Sequence, residues 1–289
     1  MRRDRLSPRT VSFYAETIHA VAEILDRNGR PYMPRELSTS DVIFFMDWLA
    51  SEGYAVQTRK GYISTLRRWC MDGGSRIKAW PKPRLPADLR PKVDWLTADQ
   101  ARRLLEHDMT PLQSVVISLE LRQGLRHVEV IRLKKSDVDL DGHLLTVTGK
   151  GPIGGKPRLV PLVTATEDVL KSWMAVRSKW SEEGLARYPK SFEDPEHLIV
   201  WRKAGRLSAY SEEGYGLDKV VTLPLSKALG FHFSNHTLRR TFGRALYRSG
   251  VPVATIAKIL GHESTEVTLR YIGVDIDDMR AAMNKGIFA

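Results

Sequence analysis

The feature that most restricts the fold is a cluster of prolines about a third of the way along the chain. Trp80-Pro81-Lys82-Pro83-Arg84-Leu85-Pro86 is followed closely by Arg90-Pro91-Lys92. Proline lacks an N–H and its φ is fixed, so four so near one another exclude helix and enforce an extended path. The chain is therefore expected to divide into a unit over 1–79, a connector over 80–95 and a larger unit over 96–289. From Arg67 to Lys92 there are eight basic and two acidic residues. The connector is either a solvated tether or a strand lying along a polyanion, and the coincidence of charge with extension favours the second.

The first unit reads as helical throughout. Ser7-Pro8 has the form of an N-cap with proline at the first helical position. Val11, Tyr14, Ile18, Val21 and Leu25 then repeat at helical spacing up to Asn28-Gly29. A second helix follows Ser38, with Val42, Phe45, Met46 and Leu49 on one face, and a third covers about 56–71 through Ile63, Leu66, Trp69 and Cys70. In the second unit, Thr97 caps a helix over 98–107, and further helices are expected at 111–123 and after Arg126. The period then changes to two, predicting a hairpin with arms His143–Thr148 and Pro157–Pro161, the second marked by Arg158, Val160 and Leu162. Helices over 165–180 and 213–229 flank a strand at Leu198–Trp201, and three more are expected at 236–249, 252–260 and 265–272. The predicted class is mainly α with a small β-sheet.

Composition narrows the chemistry. No apolar run approaches the roughly 18 residues that span a bilayer, and no apolar stretch follows the charged N-terminus as a secretory signal requires. The one cysteine, Cys70, excludes a disulfide framework, and a reducing cytoplasm is the expected setting. The formal charge of +11 points to a polyanionic partner, of which nucleic acid is the commonest. The glycine-rich run Gly149–Lys156 fails as a nucleotide-phosphate loop, because Pro157 stands where Ser or Thr is needed and position 150 is not glycine. His232 and His236 are spaced as in a zinc protease, but Phe233 occupies the place of its glutamate.

The remaining signals form an ordered series. Gly124-Leu125-Arg126 precedes Glu129; Gly149-Lys150-Gly151 follows, with Lys150 24 residues after Arg126; then come His236-Thr237-Leu238-Arg239, Leu260-Gly261-His262, and Tyr271 nine residues after His262. Singly, each is ordinary. Together they resemble the tyrosine recombinase, or phage integrase, family over about 96–271, and the helical N-terminal unit is similar to that family's core-binding domain.

The resemblance implies a reaction and a cast. Tyrosine oxygen attacks a DNA phosphodiester, leaving a 3′-phosphotyrosine and a free 5′-hydroxyl, with no metal ion and no cofactor. Tyr271 is the implied nucleophile. Arg126 and Arg239 are the implied phosphate donors, since a guanidinium fork binds phosphate bidentately and stays charged. His262 is a further donor, His236 the base and Lys150 the acid for the leaving 5′-oxygen. Glu129 either orients these side chains from behind or sits on a helix surface, and the resemblance favours the first. The basic stripe Arg240, Arg244 and Arg248 is either a DNA contact or a solvated face; Arg67, Arg68, Lys82 and Arg84 are further candidate contacts.

Two departures from the family pattern stand out. Arg240 replaces a frequent histidine, and Pro152–Gly155 lengthen the hairpin loop by three residues, so that Lys156 competes with Lys150 as the acid. The family further implies double-stranded DNA as partner and a homotetramer on paired sites, with monomer or dimer when free. A tail bearing Ile276, Met279 and Met283 at helical spacing is expected to pack on a neighbouring protomer, the other reading being that it folds back on its own domain. Two other readings of the sequence are a helix-turn-helix regulator, on 253–271, and a type IB topoisomerase.

Overall fold

The computed structural model describes residues 8–81, 94–149, 157–212 and 216–273, with Asp278 and Asn284. It consists of two compact units, Met1–Lys92 and Val93–Ala289. Most of the proline-rich connector, including Lys82 and Arg84, lies outside the described residues, as does the N-cap expected at Ser7. No helix among the described residues is long and apolar enough to cross a membrane.

The first unit is built of α1 (Pro8–Arg27), α2 (Thr39–Ser51) and α3 (Val56–Asp72). Ser38 caps α2 by accepting from the Asp41 N–H, while the Asp41 carboxylate accepts from the Ser38 N–H, a reciprocal cap that satisfies two orphan donors. Val21, Leu25, Val42, Phe45, Leu49, Ile63, Leu66 and Cys70 form its core. The stripe expected along α1 is only half used. Val11 is 43% exposed, and burial begins at Thr17, because the short bundle seats only the last turns of α1. On α3, Arg67 is exposed and Arg68 donates to Asp72 at 3.0 Å.

The second unit begins with α4 (Ala98–Glu106), capped by Thr97, and α5 (Pro111–Ile117). The helix expected to reach residue 123 changes pitch and ends in a π-turn over Ser118–Arg122. Gly124 follows with φ +66°, and a Cβ there would lie 2.3 Å from the Phe242 ring, so the turn into Arg126 admits only glycine. After α6 (His127–Arg132) comes a three-stranded antiparallel sheet in the order β1 (Val138–Asp139), β2 (Leu144–Thr148), β3 (Pro157–Pro161). Leu145 faces Val160 and Val147 faces Arg158 across the expected hairpin.

Three further features differ from the sequence expectation. α7 (Thr164–Arg187) runs seven residues beyond 180, passing Gly184, which is packed against Phe192. The expected strand at 198–201 is β4 (Val200–Lys203), and it has an unforeseen partner, β5 (Arg206–Ala209). Ala204 and Gly205 join them with φ of 51° and 84°, the left-handed pair of a tight hairpin turn. The helix expected over 213–229 is broken into α8 (Gly216–Val220) and α9 (Thr222–Leu229). Pro224 explains the break: it has no N–H for the Val220 carbonyl, which accepts from Gln113 instead. The chain closes with α10 (Asn235–Arg248), α11 (Val253–Leu260) and α12 (Thr265–Ile272). A single large core centred on Trp173, Leu119, Leu125 and Phe233 supports the sheet and helices. A smaller cluster of Ile256, Leu260 and Ile272 seats α11 and α12 against Phe242.

Candidate active site

Glu129 is the anchor of the site. It follows Arg126 by one helical turn, and Arg126, as N-cap of α6, donates both its backbone N–H and its guanidinium to the Glu129 carboxylate at 2.8 Å. From β3, Arg158 grips the same carboxylate with both terminal nitrogens at 2.9 Å, and its Nε donates to the Ile259 carbonyl at 3.0 Å. Arg239 lies 3.6 Å from it. Glu129 is 1% exposed, so it is no surface residue but a buried counter-ion to three guanidiniums. Burial alone would raise its pKa; the hydrogen bonds and charge of Arg158, with Arg126 and Arg239, overcome this and hold it below the usual value.

Arg239 joins the separate segments. Ser234 caps α10 by accepting from the Thr237 N–H at 3.2 Å, which places Arg239 one turn inside the helix. Its guanidinium donates to the carbonyls of Gly124 and Leu260 and lies 3.3 Å from His262 Nε2. It is 1% exposed. Burial, and then Arg126, lower its pKa to about 10, which still leaves it charged at neutral pH. Arg126 donates to the Gly261 carbonyl at 3.1 Å, so both arginines are fixed to the turn that carries His262.

The histidines and the tyrosine stand at the rim. Thr268 donates its hydroxyl to the Ser264 carbonyl, so it accepts from His262 Nδ1 at 2.9 Å and leaves Nε2 to accept from Arg239. Burial and the neighbouring Arg239, Arg126 and Arg158 push the His262 pKa down to about 4. His262 is thus neutral at pH 7. His236, near the start of α10, also has a lowered pKa, through desolvation first and then Arg240, Arg239 and Arg126. The Tyr271 ring meets His262 edge-on at 5.1 Å, and its hydroxyl lies 3.5 Å from the His236 carbonyl. Burial raises the Tyr271 pKa although Arg239 and Arg240 oppose it, so the phenol keeps its proton at neutral pH. Arg240 sits 5.4 Å from the centre of the same ring.

Arg126, Glu129, His236, Arg239, His262 and Tyr271 are brought together. Lys150 and Lys156 lie outside the described residues, as do Ile276, Met279 and Met283; Arg132 donates to the Gly149 carbonyl, beside Lys150, at 3.4 Å. Arg244 requires a correction. It is 2% exposed, donates to the Ile272 and Gly273 carbonyls, pairs with Asp278 at 3.0 Å and covers Trp95 at 3.9 Å. Its guanidinium clamps the chain just after Tyr271 and is not presented to DNA. Arg158 was missed by the sequence reading. The signal was its place on the same strand face as Val160, since an arginine on an apolar face requires a buried acid.

A mainly helical domain whose buried arginines frame two neutral imidazoles and a phenol has the arrangement of a tyrosine-dependent DNA strand transferase. The chain belongs to the phage integrase family, whose profile matches residues 94–277, and the N-terminal SAM-like domain of phage integrases matches residues 1–71. Among its relatives is the tyrosine recombinase XerA of Thermococcus kodakarensis, 27% identical over 96% of this chain and 89% of that one. XerC of Oceanobacillus iheyensis is 26% identical over 96% and 90%. The fold is similar to that of the Tn1549 transposon integrase solved with transposon right end DNA (TM-score 0.72, 18% identity, 100% and 96% covered). It is also similar to XerH recombinase bound to its difH substrate (0.66, 18%, 96% and 79%).

Proposed function

We propose that this chain is a site-specific DNA recombinase that cuts and rejoins duplex DNA through a 3′-phosphotyrosine at Tyr271. The single observation that carries this reading is the Arg239 guanidinium, buried between the Gly124 and Leu260 carbonyls and His262, with the Tyr271 phenol beside it. The helix-turn-helix reading of 253–271 leaves that arrangement without a purpose, since α11 and α12 hold the His262 turn and Tyr271 in the site.

The step follows from the groups present. A neutral His236 accepts the phenol proton as Tyr271 oxygen bonds to phosphorus and the P–O5′ bond breaks. Arg126 and Arg239 meet the charge on the non-bridging oxygens. As phosphate draws Arg239 toward itself, its negative charge raises the proton affinity of His262, whose Nε2 takes a proton from solvent and then donates a hydrogen bond to the phosphate oxygen. Lys150 protonates the departing 5′-oxygen. A 5′-hydroxyl from a second strand reverses the sequence, and one phosphodiester replaces another, so no nucleotide is hydrolysed. Arg67, Arg68, Lys82, Arg84 and Arg240 contact the DNA backbone, the assembly on paired sites is a homotetramer, and the protein works on chromosomal or mobile DNA in the cytoplasm.

Sequencing the DNA fragments that become covalently bound to the protein gives its site. Two labelled duplexes carrying that site should then exchange strands, equally in excess EDTA. Relaxation of supercoils without exchange would indicate a topoisomerase, and absence of any covalent DNA would indicate a regulator. For the acid, the informative substrate has sulfur in place of the bridging 5′-oxygen, because a thiolate leaves without a proton. Lys150→Ala should be slow on ordinary DNA and close to normal on the sulfur substrate, whereas Arg126→Ala should be slow on both. Rescue of Lys156→Ala in place of Lys150→Ala would move the acid to the far side of the lengthened loop.

A further inference from the structure

A second polar cluster lies behind the site and has no part in the chemistry above. Glu120, in the π-turn, is fully buried; its Oε1 pairs with His127 Nδ1 at 3.0 Å and its Oε2 has no hydrogen-bond partner. The other imidazole nitrogen, Nε2, also lacks a hydrogen bond and lies 3.8 Å from Asp218 Oδ1 on α8. That same Asp218 oxygen accepts from Asn235 Nδ2 at 2.6 Å. His127 is next to Arg126 in the chain, and Asn235 is next to His236. A continuous path of polar contacts therefore runs from the Arg126 turn to the first turn of α10.

We propose that His127 is a positioning residue for strand transfer: its imidazolium, held between Glu120 and Asp218, ties the Arg126 turn to the helix start that carries His236 and Arg239. This role rests on the recombinase reading. The bridge needs the proton that the Glu120–His127 pair shares, because both nitrogens face carboxyl oxygens and without that proton a neutral ring can donate to only one of them. The groups that act on the pair are Glu120 from the π-turn, Asp218 from α8, and His236 and Arg239 from α10. Burial works against a charge on His127, but the hydrogen bond and charge of Glu120, with Asp218, raise its pKa above the ordinary value. As the pH rises through that raised value the ring loses a proton, the Asp218 leg is lost, and Arg126 and α10 are released from register. A misplacement of this kind costs as much as about a hundredfold in rate.

The test uses the full chain, a nicked duplex bearing the recovered site, and Asp218→Asn, which removes the carboxylate facing Nε2 but leaves the buried Glu120–His127 pair. Histidine NMR without DNA reads the bridge directly, the His127 resonance being the one missing from His127→Asn. In the unaltered chain His127 should titrate above 6.5, and covalent-adduct formation should fall on the alkaline side at that same pH. Asp218→Asn should lower both midpoints together and slow adduct formation about tenfold at pH 8, with DNA affinity unchanged. A rate loss equal at every pH, or a His127 midpoint that moves while the alkaline limb stays, would overturn the proposal. No adduct from the unaltered chain at any pH would overturn the recombinase reading and this role with it, and the titration would still show whether the bridge exists.

Discussion

Tyr271→Phe should abolish covalent attachment to a nicked DNA site while leaving DNA binding within about twofold of normal. Phenylalanine keeps the ring that stands edge-on to His262 and beneath Arg240, so the packing of α12 survives. Only the hydroxyl is lost, and in the resting site that group lies 3.5 Å from the His236 carbonyl and interacts with the Arg239 guanidinium. Its removal therefore costs little stability, no more than the 0.5–1.5 kcal/mol or so of an ordinary hydrogen bond. Tyr271 is the one phenol beside Arg239 among the described residues, so the expected loss of adduct is total. Gel mobility at increasing protein concentration, with and without denaturant, separates binding from attachment.

Glu129→Ala should give the largest loss of stability. Arg158 and Arg239 are both nearly buried, and the Glu129 carboxylate is the shared acid between them and Arg126. Removing one member of a buried ion pair costs about 3–5 kcal/mol, because the uncompensated charge stays behind. Urea denaturation should show that shift, and cleavage should be lost with it. His262 and Glu129 both contribute to the acid side of the stability profile. His262 binds no proton in the folded state until about pH 4, whereas the unfolded chain takes one up near 6.5, so stability falls as the pH drops through that interval. Glu129 has a depressed folded pKa; its contribution is complete above the unfolded value, about 4.3, and is lost as the pH falls through the folded one. His262→Asn should flatten the upper part of the profile, and Glu129→Gln the lower part.

The local features of the fold were legible because local chemistry decides them. Ser38 and Thr97 cap where their spacing to Asp41 and Gln100 requires, and the alternation around residues 144–161 places the hairpin in its observed register. Of the motif residues, Arg126, Glu129, His236, Arg239, His262 and Tyr271 lie together, and Lys150 falls outside the described residues. What escaped the sequence depends on distant partners. Arg158 reads as an ordinary strand residue until Glu129, 29 positions earlier, is seen beneath it. Arg244 shares its helix stripe with Arg240, yet the Ile272 and Gly273 carbonyls and Asp278 make it a clamp, not a DNA contact. The break at Val221 was readable from Pro224, but the apolar run around it masked the signal. The supporting role of Glu129 was readable from its spacing to Arg126, but its full burial was not, because that is set by what β3 and α10 bring over it.

The central claim is that one phenol, Tyr271, carries the DNA between cleavage and rejoining. It is tested most directly by digesting the covalent complex with protease and nuclease and identifying the peptide that bears a nucleotide. A single modified peptide is expected, with a 3′-linked nucleotide on Tyr271 and an unmodified 5′-hydroxyl on the released strand. A nucleotide on any other of the nine tyrosines, on a serine, or joined through a 5′-phosphate would contradict it.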